Sequence, residues 1–397
     1  MIFRLIWRMI SEAEIRILMK FAWNFCWKGA RSVSRFEKRI ARGEYFPAFL
    51  MISITNDCTL NCRGCWVTKS SPVAELSPAT LDRIISEAKK KDCSFFGILG
   101  GEPLLYDGLF DVLEKHQDCY FQVFTNGLQL TEQIAEKMRR LGNITPLVSI
   151  EGLERAGDER RGGTDVYGKS LRALDNCRAK RLVTGTAVSV CKSNYRDLVS
   201  DKFITELIKR RVHYIWYYIF RPVGSDPAPE LALDDEEIAG LRRFIVDARS
   251  RLPIIIVDAY WDDMGKALCP AAAGMSHHIS PRGDIEPCPP VQFAVENVGD
   301  GKRLAEVFQT SRFLEEFRQW ASSRTRGCVL LECPGELGGF MERNNARDTS
   351  GRDNGLRELS EMESLPDHHQ PGREIPERSF LYRFVKKRWF FGFGAYG

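Results

Sequence analysis

The sequence predicts an α/β fold, a partial (β/α)6 TIM-like barrel that begins at residue 49 and carries a second, cysteine-bearing domain after it. Three observations predict it. Apolar runs alternate with amphipathic stretches six times between residues 49 and 220. The apolar runs are continuous and rich in β-branched and aromatic residues, as strands buried on both faces of a parallel sheet must be. Chemically capable residues fall at one end of every strand, the C-terminal end, where barrels of this kind place their sites.

The elements follow in order. FLMISI (49–54) is the first strand, and SPATLDRIISEAKKK (77–91) a helix with Ser77 as its N-cap and Pro78 in its first turn. FFGILGG, FQVFTNG, PLVSIEG, VTGTAVSV and HYIWYYIF supply the next five strands, with helical stretches between them. After about residue 225 the alternation stops. A polar linker leads into a helix over 235–250, IIIVDAY adds one strand, and ISPRGDIEPC (279–288) reads as a hairpin with Arg282-Gly283-Asp284 in its turn. The expected divisions are 1–48, an amphipathic helical segment; 49–235, the barrel; 236–343, a linker helix and second domain; and 344–397, a polar tail with an aromatic, basic end. The stretch 344–378, rich in Arg, Glu, Pro and Gly, is expected to be extended or poorly ordered.

Composition narrows the function. A net charge of +4 on 397 residues does not call for nucleic acid. The 12 cysteines do not fit a small secreted disulfide scaffold, and a reducing cytoplasm suits them. No apolar run reaches the roughly 18 residues of a membrane span, and the N-terminus, with arginines inside its apolar stretch, does not read as a secretory signal.

ISITNDCTLNCRGCW (52–66) places Cys58, Cys62 and Cys65 directly after the first strand. Spacing alone leaves two metals open: zinc with a distant fourth ligand, or an iron–sulfur cube with one iron free. Gly100-Gly101-Glu102-Pro103 ends the second strand, Thr125-Asn126-Gly127 the third, Ser149 and Glu151 the fourth. C-x3-C-x2-C, GGEP, TNG and the serine turn, in that order over residues 49–225, resemble the radical S-adenosylmethionine (SAM) enzymes.

That resemblance implies a [4Fe–4S] cluster on Cys58, Cys62 and Cys65 whose fourth iron takes the amino and carboxylate groups of SAM. Electron transfer would cleave SAM to a 5′-deoxyadenosyl radical, which abstracts hydrogen from an unactivated carbon. Gly100, Gly101, Glu102 and Pro103 would meet the methionine part, with Thr125 and Asn126 beside it and Ser149 and Glu151 toward the ribose. Gly64 stands where this family often has an aromatic residue, so Trp66 is the candidate for the adenine contact. DERRGGTDVYGKSL (158–171), with Arg161 as a further cofactor-binding candidate, resembles members with a C-terminal SPASM or Twitch extension. Cys269, Cys288, Cys328 and Cys333 agree, and imply a second, auxiliary [4Fe–4S] cluster, with zinc as the rival metal. An external electron donor such as flavodoxin or ferredoxin is implied too. No cobalamin-binding domain precedes the barrel, which disfavours cobalamin-dependent methyl transfer.

Cys26, Cys93, Cys119 and Cys177 are expected to be apolar fillers. Cys191, at the end of the fifth strand, is a candidate hydrogen donor to a substrate radical. His277 and His278 are expected to be structural. The segment IRILMKFAWNFCWKGARSVSRF and the last stretch FLYRFVKKRWFFGFGAYG, with Trp23, Trp27, Trp389 and Phe390 among lysines and arginines, suit an anionic membrane surface. They point to a lipid-like or membrane-associated substrate and a peripheral place at the inner membrane face. Peptide maturation of the ribosomal-peptide kind is the alternative; the helical N-terminus does not look like the winged-helix domain that peptide-modifying members carry. A non-catalytic Fe–S or zinc scaffold or redox sensor is the other.

Overall fold

The computed structural model describes residues 2–388, the side chain of residue 388 excepted; the expectations for Trp389 and Phe390 lie outside the described residues. Six strands, β1 (Phe49–Ser53), β2 (Phe95–Leu99), β3 (Tyr120–Thr125), β4 (Ile144–Ser149), β5 (Gly185–Val190) and β6 (Tyr214–Ile219), lie side by side in chain order and are all parallel. Helices return the chain between them. Ser77 caps the helix Pro78–Lys89 by accepting from the Thr80 N–H, and Thr131 caps Glu132–Leu141 in the same way through Ile134.

The sheet does not stop at six. β7 (Ile255–Asp258) adds in parallel beyond β6, and β8 (Ser276–Ile279) adds in parallel to β1, pairing Phe49 with Ser276 and Ile52 with Ile279. β9 (Ile285–Glu286) folds back antiparallel on β8, so the second domain grows from the barrel's own edge. The hairpin turn is the expected one: Ser280 N–H donates to Asp284 O at 2.9 Å, with Gly283 at φ +85°. His277 and His278 are buried and fully engaged. His277 Nε2 meets the Tyr45 hydroxyl at 2.5 Å, and His278 bridges Ser53 Oγ at 2.7 Å and Glu286 Oε2 at 2.5 Å. A short pair, β10 (Phe293–Ala294) and β11 (Arg347–Asp348), closes the second domain.

The N-terminal segment is helical, as expected: Ile2–Glu12, Ile15–Lys20, a π-helical stretch Phe21–Trp27, and Lys28–Ile40. Its inner side chains cross the strand entrances one after another. Arg8 donates to Pro253 O (2.6 Å) and Val212 O (2.9 Å), before β7 and β6. Glu14 N–H donates to Arg181 O before β5, Lys20 to Leu141 O before β4, and Asn24 to Gln117 O before β3. Arg39 donates to Lys91 O before β2, and Ser32 to Ala48 O before β1. Phe21 and Phe25 pack on Tyr120, and Phe25 on Phe95, under the barrel floor. The basic residues sit here because helix and loop carbonyls at the strand entrances have no partners of their own.

The polar tail is a correction. Residues 344–378 are not extended or poorly ordered: they include β11 and the helix Gly355–Glu361, and they bury Asp367, His368 and Glu377. Glu377 accepts from Arg242 (2.8 Å), while Asp258, at the end of β7, pairs with Arg249 (2.5 Å) and Lys386 (2.9 Å). Low hydropathy misleads here, since buried charges that pair and hydrogen-bond are stable inside. Lys386 belongs to a final helix, Phe380–Arg388. Among the described residues, no helix is long and apolar enough to cross a membrane.

Candidate active site

At the strand exits lies a cavity of about 460 Å³. Cys58, Cys62 and Cys65 line it from the loop after β1, with Trp66 following them. Gly100 and Gly101 enter from β2, Thr125 and Asn126 from β3, Ser149 from β4, and Arg161 from the helix Glu154–Arg161. These residues, far apart in sequence, share one cavity.

The cysteine loop is held from several sides. Gly101 N–H donates to Thr55 O at 2.8 Å and Glu102 N–H to Asp57 O at 2.7 Å, which ties the loops after β1 and β2 together. Arg160 donates to Arg63 O, and Gly64 N–H donates to Asp226 O at 2.6 Å. Gly224, at φ +94°, lies so close to the loop that a Cβ there would stand 1.9 Å from Cys65 O. Gly64 meets Phe220 in the same way: its Cβ would fall 2.3 Å from that ring, over which the Arg160 guanidinium lies at 4.8 Å. An aromatic side chain at position 64 is thus excluded by one supplied from the end of β6. Trp66 faces the cavity with its ring edge-on to His278 at 5.4 Å.

The electrostatics suit a thiolate-bound metal group. Burial pushes the Cys58 thiol up, and pushes Cys65 up to about 11, so neither loses its proton readily alone. Arg161 faces them. Burial works against its charge, but Cys62, Glu151, Cys65 and Cys58 outweigh that and hold its pKa above the ordinary value. Its buried Nε has no hydrogen-bond partner. A cation with an unmet donor beside three thiols is a set that a cluster and an anionic ligand group would complete. Cys58, Cys62 and Cys65 would hold the cluster; Asn126 Nδ2 already lies 3.8 Å from Cys58 Sγ.

Four expected residues have other places. Glu102 is fully buried and does not line the cavity. Its carboxylate accepts from Thr125 Oγ1 (2.7 Å), Asn126 N–H (2.7 Å) and Leu104 N–H (3.0 Å), with Pro103 buried beside it, so it joins the loops that form the cavity wall. Glu151, also buried, accepts from Ser189 N–H at 3.1 Å and faces Arg160 and Arg161. Cys191 does not open onto the cavity: it is 0% exposed, in a small apolar cluster with Phe220, Ala228 and Leu231. Being at a strand exit is not enough, because its side chain turns under the loop after β6.

In the second domain Cys269, Cys288 and Cys328 act on one another. Burial, then Cys328, pushes Cys269 up to about 11, and Cys288 is raised by burial and by both neighbours. Cys333 precedes the helix Pro334–Arg343; after burial, Glu336 and Glu332 raise its thiol most. Among the described residues, no three His, Cys, Asp or Glu side chains stand close enough to hold a single metal ion. A cube makes no such demand, since each thiolate binds a different iron. Arg221, which follows β6, reaches this group and donates from Nε to Cys328 Sγ at 3.2 Å. Arg221 is not among the candidates read from the sequence, because no motif marks it.

A second cavity, about 440 Å³, runs between the loop after β6 and the second domain. Ser225 lines both cavities. Pro290 and Leu330, each two residues past an auxiliary cysteine, form part of its wall. Arg352 ties the tail to the cysteine loop by donating to Thr68 Oγ1 at 2.6 Å, and it is held by Glu358 at 2.8 Å.

Comparison with known proteins agrees with this geometry. The Radical SAM superfamily model matches residues 52–201. The sporulation killing factor maturation protein SkfB of Bacillus subtilis (strain 168) is 25% identical over 160 residues, which are 40% of this chain and 39% of SkfB. The chain thus spans well under half of that relative. The mycofactocin maturase MftC of Mycobacterium tuberculosis (strain ATCC 25618 / H37Rv) is 24% identical over 314 residues, 74% of this chain and 78% of MftC. The crystal structure of Streptococcus suis SuiB bound to its precursor peptide SuiA shares the fold, with a TM-score of 0.60 at 17% identity over 72% of this chain and 70% of SuiB.

Barrel, cysteine loop and second domain together define the class of radical SAM enzymes with a C-terminal auxiliary domain. The chain carries that radical SAM domain at residues 52–201. The cofactors that go with such a domain are a [4Fe–4S] cluster and SAM.

Proposed function

We propose that this chain is a peptide-modifying radical SAM enzyme. The observation that carries the reading is the second cavity, which meets the cysteine cavity at Ser225 and runs from there between the loop after β6 and the second domain. A peptide side chain held there would reach the first site while its backbone lies along the tail and β10. Relatives named as maturases support the same substrate class. When bound, the cluster and SAM supply hydrogen abstraction from an unactivated carbon; the chain's residues hold and orient. Arg161 balances the thiolates, Glu102 and Gly224 fix the cysteine loop, and Arg352 keeps the tail against it. A flavodoxin or ferredoxin would deliver the electron.

This replaces a lipid-like substrate, which rested on the aromatic and basic segments at both ends of the chain, the N-terminal one above all. That segment lies at the strand entrances, opposite the cavity, and says nothing about what enters it. The test uses anaerobically reconstituted protein with SAM and dithionite. Adding a low-molecular-weight peptide extract should raise 5′-deoxyadenosine above the level without it, and a lipid extract should not. Stimulation by lipid alone overturns the peptide reading, and iron-replete protein that forms no 5′-deoxyadenosine would be a scaffold.

We also propose that the outer face of the N-terminal helices rests on an anionic membrane surface. Phe3 is 88% exposed, Trp7 70%, Trp23 59% and Trp27 61%, while the opposite face of the same helices is fastened to the barrel. Arg4, Lys38 and Arg42 are exposed in the same segment. The protein should co-sediment with phosphatidylglycerol vesicles and less with neutral ones. Replacing Trp7, Trp23 and Trp27 with Glu should abolish this with iron content intact; equal sedimentation of the variant overturns the reading.

A further inference from the structure

Arg221 lies two residues past β6 and belongs to the barrel, yet its guanidinium is committed to the second domain. Nε donates to Cys328 Sγ at 3.2 Å. Nη1 donates to Ile219 O (3.0 Å) and to the Tyr260 hydroxyl (3.1 Å), and the group lies over the Tyr260 ring at 5.2 Å. These contacts fix both its position and the direction of the N–H aimed at sulfur.

Arg221 has an unusual deficit. Among the described residues, no carboxylate pairs with it, whereas Arg242 and Arg249 share Asp258 and Glu377. An enclosed cation needs an anion beside it. The sulfurs of Cys328, Cys269 and Cys288, bound to metal as thiolates, would supply one.

We propose that Arg221 sets the reduction potential of the auxiliary cluster held by these cysteines. A thiolate-bound cube is anionic, and taking one electron from the external reductant adds one further negative charge. A fixed cation and an N–H···S hydrogen bond stabilise the reduced form more than the oxidised form, so the cluster becomes easier to reduce. Because the guanidinium is anchored to Ile219 and Tyr260, this bias is built into the exit of β6. Arg221 acts through Cys328 and touches no reacting atom, so it is a positioning residue. The inference rests on the auxiliary cluster and holds whichever substrate is processed.

The test is a potentiometric titration followed by EPR on the full-length, anaerobically reconstituted protein. Arg221→Met should shift the auxiliary reduction equilibrium about tenfold toward the oxidised form, ~59 mV for a one-electron couple. Arg221→Lys, which keeps the charge and loses the directed Nε–H, should fall between. The cluster on Cys58, Cys62 and Cys65 is the internal reference and should not move. An unchanged auxiliary potential in iron-replete Arg221→Met overturns the proposal. So does an equal shift of both clusters, loss of auxiliary iron in both variants, or a wild-type auxiliary site that holds zinc. None of these outcomes depends on whether a peptide is the substrate.

Discussion

Replacing Glu102 separates two roles for one carboxylate. If it contacts SAM directly, Glu102→Ala weakens SAM binding and leaves the iron in place. The structure supports the other outcome. The carboxylate is fully buried and accepts from Thr125 Oγ1, Asn126 N–H and Leu104 N–H. The Thr125 hydroxyl can rotate away, but the two backbone N–H groups stay in place and lose their acceptor. Stranded buried donors cost about 1–3 kcal/mol each, which puts Glu102→Ala at about 2–6 kcal/mol. That is a large share of a typical stability of roughly 5–15 kcal/mol. Because Glu102 N–H and Gly101 N–H also hold Asp57 and Thr55, the strain reaches the cysteine loop. Glu102→Gln keeps the shape but turns an amide N–H toward a donor, and should lose about half as much. Urea unfolding, iron content and equilibrium dialysis with SAM are the assays. Stability, iron and SAM binding should fall together. Full iron and an unchanged unfolding midpoint, with SAM binding weakened tenfold or more, would refute the reasoning.

Three further outcomes are expected. Gly224→Ala places a Cβ 1.9 Å from Cys65 O and should cost about 3 kcal/mol or more, taking iron from the first site and leaving auxiliary iron; a variant with full iron refutes the contact. His213 is neutral in the fold, its pKa lowered to about 3 by burial and then by Arg8. This lies below the unfolded value of about 6.5, so stability is intact above that pH and falls by about 1.4 kcal/mol per unit below it. His213→Asn should therefore gain on the wild type in urea midpoint as pH drops from about 6.5 to about 5, and a constant gap would contradict this. Arg8→Met strands the carbonyls of Pro253 and Val212 and should lower thermal stability by about 2–4 kcal/mol with iron unchanged; an unaltered melting temperature would count against the N-terminal segment as a barrel component.

The sequence reveals most where chemistry is contiguous. Cys58, Cys62 and Cys65 announce a metal, and the apolar strands announce a parallel sheet whose exits must hold the site. What it hides are partnerships across distance. Glu377 is a polar tail residue by composition and a buried anion for Arg249 in the fold. β8 carries two adjacent histidines and no apolar run, yet it joins β1 because Tyr45, Ser53 and Glu286 meet both rings. The N-terminal cations suggest a lipid surface, and Arg8, Lys20 and Arg39 instead cap carbonyls. Cys191 occupies the right strand end with its side chain in the wrong place, which a position in the chain does not disclose.

The strap of N-terminal helices has a consequence for how the protein is made. Residues 8–39 are synthesised before the barrel, but their acceptors lie in the turns before β1 through β7, and Pro253 emerges more than two hundred residues after Arg8. Contacts of such separation close slowly, because loop entropy is lost before they form. This segment, made before the barrel, is therefore among the last to dock. Until it does, Phe21 and Phe25 stand open to solvent along with Trp23 and Trp27. The nascent protein thus displays this aromatic surface through most of its translation, and the completed barrel is what withdraws part of it from view.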